Sequence, residues 1–284
     1  MQVDLVHTAT RDGLRLDGIF QASSATHPAL DAALCLHGTG SNFYGSTLFD
    51  ALAARLLESG ISVLRVNTRG HDLMSNAAQV RGGGRRAGAS HEILDDCRHD
   101  VAAWCDWLRG QWRSRLVLIG HSSGAVKALY AQALEPDAHV RALVALSPPR
   151  LSYSWFRASD RAMTFNQTFQ QAQALVQAGE PHALLEVTVP LPFVVTASGY
   201  LEKYGPDERY NYLRFLDRLT VPTLVTLGEV EMGNNMAFRD APEAIRQVAP
   251  PVQMATIAGA DHFYSGVRDE LIATVLGWLQ RLPS

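Results

Sequence analysis

The feature that most constrains this chain is the stretch from Arg115 to Leu134. An apolar run, Leu116-Val117-Leu118-Ile119, meets Gly120-His121-Ser122-Ser123-Gly124, and small and helix-forming residues follow to Leu134. The pattern predicts a strand, a sharp turn and a helix, with Ser122 at the apex. A turn this tight crowds the backbone, so the residues two positions either side of the serine must lack bulk. Gly120 and Gly124 meet that need. The helix that follows aims its free N–H groups and its positive end at the apex. Bare G-x-S-x-G spacing arises easily by chance. Here the flanking strand and helix patterns carry the argument.

Around this turn, short apolar runs alternate with helical periodicities. Val3 to Phe20 reads as two strands about a turn at Asp12-Gly13. Further strands are expected at Asp31 to Leu36, Ile61 to Val66, Ala142 to Leu146, Val221 to Leu227 and Val252 to Ile257. Leu48, Leu52 and Leu56 mark a helix from Thr47 to Glu58, stopped by Gly60. Leu94, Cys97, Val101, Trp104 and Leu108 mark a second helix. A short helix near Pro242 to Gln247 and a terminal one from Val267 to Leu282 follow. Asn67 to Ser90 reads as a long loop. The alternation stops at Ser147-Pro148-Pro149 and resumes at Val221. Strands alternating with helices predict a doubly wound, mostly parallel sheet covered on both faces. Residues 1–149 and 217–284 form its expected core, and 150–216 an inserted, mainly helical cap.

Composition excludes several classes. Apolar residues make up 47% of 284, enough for a large core, and the formal net charge is −3, which gives no general attraction to nucleic acid. No run approaches the ~18 apolar residues of a membrane span. Met1 to Gly13 lacks an apolar signal core. Cys35, Cys97 and Cys105 form no disulfide framework, so a cytoplasmic home is expected.

A serine hydroxyl is a poor nucleophile. It needs a base, an orienting carboxylate and donors for the oxyanion. His262, in Gly259-Ala260-Asp261-His262-Phe263, directly follows the strand ending at Ile257. Glu229 and Glu231 follow the strand ending at Leu227. His37-Gly38-Thr39-Gly40 follows the strand ending at Leu36, where Thr39 can offer a backbone N–H beside that of Ser123. His91, Asp95, His99 and Asp100 lack metal-ligand spacing, so no metal is expected. Gly82-Gly83-Gly84 has neither the preceding strand nor the Gly-Lys-Ser/Thr of a phosphate loop. Arg69 and Asp72 are expected to shape their loop rather than join the chemistry.

On these residues the chain resembles the α/β-hydrolases over almost its whole length. His37 to Tyr44, Asn67-Thr68-Arg69-Gly70-His71-Asp72 and Asp95 to Asp100 before Trp104 also resemble the siderophore-esterase-like branch. That branch implies cleavage of ester bonds in hydroxamate siderophores. The fold implies the chain order serine, acid, histidine. Many relatives carry proline, leucine and glycine, then an aspartate three residues on; Pro222, Leu224, Gly228 and Glu231 reproduce that spacing with glutamate. The resemblance therefore implies Ser122, His262 and Glu231 as the triad, with Glu229 as the competing acid. Thr39 and Ser123 are the implied oxyanion donors. Tyr44, His121, Trp155 and Phe165 are expected to contact substrate. The implied activity is cofactor-free hydrolysis of a small-molecule carboxylic ester. Thioester, amide, lactone or carbon–carbon hydrolysis on the same triad, or a non-catalytic binding role, are the alternatives. Nothing in the sequence sets the oligomeric state.

Overall fold

The computed structural model describes residues 3–248 and 251–283. It opens with strands β1 (Asp4–Ala9), β2 (Arg15–Gln21) and β3 (Ala32–Leu36), then helix α1 (Thr47–Glu58) and β4 (Ser62–Val66). A small hairpin, β5 (Ser75–Ala78) and β6 (Gly84–Ala87), precedes α2 (Cys97–Gly110), β7 (Leu116–His121), α3 (Ser123–Leu134) and β8 (Val140–Leu146). The next segment holds α4 (Tyr153–Arg157), α5 (Ala162–Gln177), β9 (Leu184–Val187), β10 (Phe193–Thr196) and α6 (Ala197–Tyr204). The chain ends with β11 (Thr223–Gly228), α7 (Glu229–Asn234), α8 (Ala241–Arg246), β12 (Val252–Ile257) and α9 (Arg268–Leu279).

Eight strands form one sheet in the order β1-β2-β4-β3-β7-β8-β11-β12. β1 and β2 run antiparallel to their neighbours; from β4 to β12 every pairing is parallel. Side chains alternate between faces along each strand. Ala33, Cys35, Val117, Ile119, Val144 and Leu146 pack with α1 and α9 on one face. Leu34, Leu36, Leu116, Leu118, Leu143 and Ala145 pack with α2, α3 and α8 on the other. Both faces are covered, which is why these strands read as uninterrupted apolar runs.

The order reverses at β3. Its successor β4 lies on one side and β7 on the other, and such a switch point opens a crevice at the strands' carboxyl ends. Leu36 pairs with Gly120 across it. The loop after β3 therefore lies beside the serine turn after β7.

Two hairpins escaped the sequence patterns, as did the short helix α7. The expected loop from Asn67 to Ser90 contains the β5–β6 hairpin, whose strands, Ser-Asn-Ala-Ala and Gly-Arg-Arg-Ala, show no apolar alternation. Its turn uses Gly82 and Gly83 at φ 91° and 84°, which explains the glycine run. The 150–216 segment, expected to be mainly helical, also contains the β9–β10 hairpin. Among the described residues, no helix is long and apolar enough to cross a membrane.

Close backbone approach governs the serine turn. A Cβ at residue 124 would lie 2.2 Å from the Leu36 carbonyl oxygen and 2.5 Å from that of His37. Gly110, at the end of α2, has open space around the same position. Gly124→Ala is therefore expected to destabilise the fold by more than about 2 kcal/mol, and Gly110→Ala to stay within about 1 kcal/mol of wild type. Urea unfolding of the two variants checks this; equal midpoints would refute the crowding argument.

Candidate active site

Ser122 links β7 to α3 at φ 57° and ψ −126°. Non-glycine residues rarely adopt such a backbone, and it persists only where surrounding structure holds it. The Ser122 N–H donates to Leu146 O at 2.9 Å, and a Cβ at Gly120 would strike Gly124 O at 2.2 Å. These contacts hold the turn from both sides.

His262 lies in the loop after β12, and its Nδ1 is 2.8 Å from Glu231 Oε2. Glu231 sits in the first turn of α7, with a side chain only 2% exposed. Its second oxygen accepts from Gly228 N–H at 2.7 Å and from the Ser147 hydroxyl. Ser147 Oγ lies 2.7 Å from Tyr264 Oη, which lies 2.7 Å from Thr226 Oγ1. Each hydroxyl has one proton. Ser147 directs its own at the carboxylate, so Tyr264 donates to Ser147 and Thr226 to Tyr264. This donor chain fixes Glu231 and strengthens each bond along it. With Nδ1 donating to the carboxylate, Nε2 of neutral His262 is left as a proton acceptor. Glu229 points elsewhere: it is exposed, and it accepts from Gly259 N–H at 2.9 Å. The structure thus brings Glu231 to the histidine and gives Glu229 the loop just before it.

Ser122 and His262 border the same cavity. Among the described residues, no hydrogen bond joins Ser122 Oγ to the His262 ring.

His121 packs its ring 4.9 Å from that of His262, and its Nε2 donates to the His262 carbonyl at 2.8 Å. Burial, assisted by the neighbouring His262, pushes its pKa down to about 3. It is therefore a neutral brace for the histidine loop that also borders the cavity.

The loop after β3 runs directly over the serine. A Cβ at Gly38 would lie 3.0 Å from Ser122 Cβ. His37 is buried beneath it; Nδ1 lies 2.8 Å from Gly38 O, and Nε2 accepts from Thr68 N–H at 3.1 Å. Burial and the nearby Lys127 ammonium push His37 down to about 3. Among the described residues, neither the Thr39 nor the Ser123 backbone N–H has a partner.

The remaining motif residues are scaffold. Buried Arg69 binds Asp100, Asp96 and Asp12, tying the loop after β4 to α2 and to the β1–β2 turn. Asn42 Nδ2 donates to Asp72 at 2.6 Å, and Asn67 accepts from Phe43 N–H. Asp95 pairs with Arg98 and accepts from Tyr130. Among the described residues, no cluster of three His, Cys, Asp or Glu side chains could hold a metal ion.

The cavity measures about 840 Å³, within the ~300–1,000 Å³ of small-molecule sites. Its apolar wall includes Leu73, Leu191, Pro192, Phe193, Phe238 and Phe263. The expected contacts fare differently. His121 borders the cavity; Tyr44, Trp155 and Phe165 are not among the residues lining it. Tyr44 is 63% exposed and packs on Phe43. Trp155 donates its indole N–H to Met236 O and stacks under Arg150. Phe165 is fully buried among Phe156, Phe169 and Tyr200, inside the inserted segment. The bulk of Trp155 and Phe165 goes to packing. From the inserted segment the wall takes Val187, Leu191, Pro192, Phe193 and Val194, a stretch marked in the sequence by Pro190, Pro192 and Phe193.

The two buried histidines give a direct test. Their depressed pKa values mean they bind no proton until the pH falls well below the ~6.5 of a free imidazole. The assigned His37 and His121 ring resonances should not titrate between pH 8 and 4.5. The unfolded chain takes up those protons near pH 6.5, so this stabilisation is present above that pH and is lost as pH falls toward about 3. NMR titration checks the first statement and thermal melts across pH the second. A midpoint near 6.5 for either ring would contradict the assignment.

Comparison with known proteins fits this geometry. The model of the family described as "Alpha/beta hydrolase family" matches residues 33–274. No curated protein sequence matches the chain. Among solved structures, the alpha/beta hydrolase GrgF from Penicillium is similar with a TM-score of 0.72 at 16% identity, covering 99% of each chain. Est1E from Butyrivibrio proteoclasticus, solved with ferulic acid bound, gives 0.68 at 17%, covering 98% of this chain and 99% of that one. An esterase from Pyrococcus furiosus gives 0.63 at 18%, covering 99% and 93%. At such identities the likeness speaks for the fold, and the family match for membership. The eight-stranded sheet, the serine turn and the matched span agree: the chain belongs to the alpha/beta hydrolase family.

Proposed function

We propose that this protein hydrolyses a carboxylic ester through a serine nucleophile and an acyl-enzyme. The observation that carries the reading is the pairing of buried Glu231 with His262, bordering the same cavity as a serine held at a strained turn. His262 Nε2 takes the Ser122 proton as Oγ attacks the ester carbonyl. Glu231 keeps the imidazole in the required tautomer and stabilises the imidazolium that forms. The unpartnered N–H groups of Thr39 and Ser123 receive the oxyanion. Collapse of the tetrahedral intermediate expels the alcohol, which takes the proton from His262. Water then attacks the acyl group with His262 again as base, and the carboxylic acid leaves.

The cavity wall bears on the substrate. A wall built from Leu73, Leu191, Phe193, Phe238 and Phe263, with Glu186, Asp261 and Arg268 also at its border, suits a bulky or aromatic acyl or alcohol part. The ferulic acid bound by Est1E is an aromatic carboxylic acid of that kind. Hydroxamate siderophore esters join the substrate panel on the strength of the motif resemblance.

A fluorophosphonate should label Ser122 stoichiometrically. Ser122→Ala should lower kcat/KM on an aryl ester by at least about 1,000-fold. Near wild-type turnover by that variant would end the serine reading. Glu231→Gln should lower kcat by about 100-fold or more, while Glu229→Gln stays within about threefold. The reverse order would transfer the acid's role to Glu229.

A further inference from the structure

Three buried charges behind the site take no part in the reaction above. Lys127 lies on α3, five residues past Ser122, and is fully buried. Its ammonium is 2.5 Å from Glu92 Oε1 and donates to Thr68 Oγ1 at 3.0 Å. Lys203, on α6, brings a second ammonium 4.0 Å from Glu92 Oε2. The same ammonium lies 5.5 Å from the ring centre of Phe193, which walls the cavity. Burial alone would raise the Glu92 carboxyl; the two ammonium groups outweigh it and hold the group below its ordinary range. Replacing such a cluster with apolar side chains is often neutral or stabilising. Stability by itself is therefore a weak reason for it.

The hydrogen bonds lead somewhere specific. Thr68 Oγ1 accepts from Lys127, so its own proton is free for His37 Nε2, 3.2 Å away. The Thr68 N–H meets the same nitrogen at 3.1 Å. With Nε2 accepting, neutral His37 carries its proton on Nδ1 and donates it to Gly38 O at 2.8 Å. The Ser41 N–H donates to that oxygen too, at 3.2 Å. Gly38 C=O and Thr39 N–H belong to one peptide unit. That unit is planar and trans, so its carbonyl and N–H point in opposite directions. Whatever fixes the Gly38 carbonyl also fixes the direction of the Thr39 N–H.

We propose that Lys127, held by Glu92, is a positioning residue for the oxyanion site. Through Thr68 and His37 it locks the Gly38–Thr39 peptide with its N–H aimed at the space over Ser122. Each donor in the series polarises the next, so the ammonium strengthens the anchor at its far end. Lys203 ties the inserted segment, and with it the Phe193 wall, to the same cluster. The proposal rests on the reading of Thr39 as an oxyanion donor.

The cleanest probe is Thr68. Thr68→Val keeps the shape and the backbone N–H but removes the hydroxyl link, and Thr68→Ser restores that link. Lys127→Met removes the ammonium itself. For each variant, thermal melts establish folding. The rate of fluorophosphonate labelling of Ser122, kcat and KM on p-nitrophenyl acetate, and the inhibition constant of an aryl trifluoromethyl ketone are then measured. The ketone forms a tetrahedral adduct whose oxyanion needs the Thr39 N–H. Thr68→Val and Lys127→Met should lower labelling rate and kcat by about 10- to 100-fold, with KM within about threefold. Ketone binding should weaken in parallel, and Thr68→Ser should stay within about threefold of wild type. If Lys127→Met does not fold, the Thr68 pair decides. Wild-type labelling of Ser122 with Thr68→Val unchanged, or a loss falling on KM alone, would overturn the relay and leave the serine reading intact. A wild-type protein that neither labels nor turns over would overturn both.

Discussion

The site depends on how closely two backbone segments approach at residue 124, where a Cβ would stand 2.2 Å from the Leu36 carbonyl oxygen. No side chain fits there, and that gap lets the head of α3 lie against the end of β3. The loop carrying Gly38 and Thr39 is thereby brought over Ser122. The strained backbone at Ser122 is held by the same contacts: Gly120 against Gly124, and the Ser122 N–H on Leu146 O. The parallel sheet supplies the rigidity. Its central strands are buried on both faces, so the turn that leaves β7 has little freedom to relax.

Three histidines meet at this turn, and their surroundings divide their tasks. His37 and His121 are buried without a carboxylate partner, and each is kept neutral and donates its ring N–H to a backbone carbonyl. Both brace loops. His262 is partly open to the cavity and has a buried carboxylate at Nδ1. The contrast is one of environment rather than residue type, and in the proposed mechanism it separates a proton carrier from two struts. The carboxylate is itself secured by Ser147, Tyr264 and Thr226, which come from the ends of β8 and β11 and the loop after β12. Several strands thus contribute to holding one imidazole.

Much of this was legible in the sequence, for physical reasons that differ between elements. Helix α1 begins and ends where Leu48, Leu52, Leu56 and Gly60 indicated, because an amphipathic face and its stop are local signals. The spacing that singled out Glu231 over Glu229 corresponds to a first helical turn after β11, which points Glu231 inward. The β5–β6 and β9–β10 hairpins were not legible: their strands are short and pair only with each other. The cavity wall was misjudged for a related reason. Phe165 and Trp155 are among the large apolar side chains of the inserted segment, but bulk is what a small packed layer needs for its own core. Residues such as Leu191 face the cavity because of how the β9–β10 hairpin folds back, which is a long-range fact.

The central claim is that Ser122, His262 and the Thr39 and Ser123 N–H groups converge on one reacting carbonyl. A crystal structure of the protein after reaction with an aryl phosphonate tests it most directly, since the adduct mimics the tetrahedral intermediate. The expected result is phosphorus bonded to Ser122 Oγ, with its anionic oxygen within about 3 Å of both backbone nitrogens and His262 Nε2 on the leaving-group side. An adduct on another residue, or a phosphonyl oxygen turned away from Thr39 and Ser123 into solvent, would contradict it.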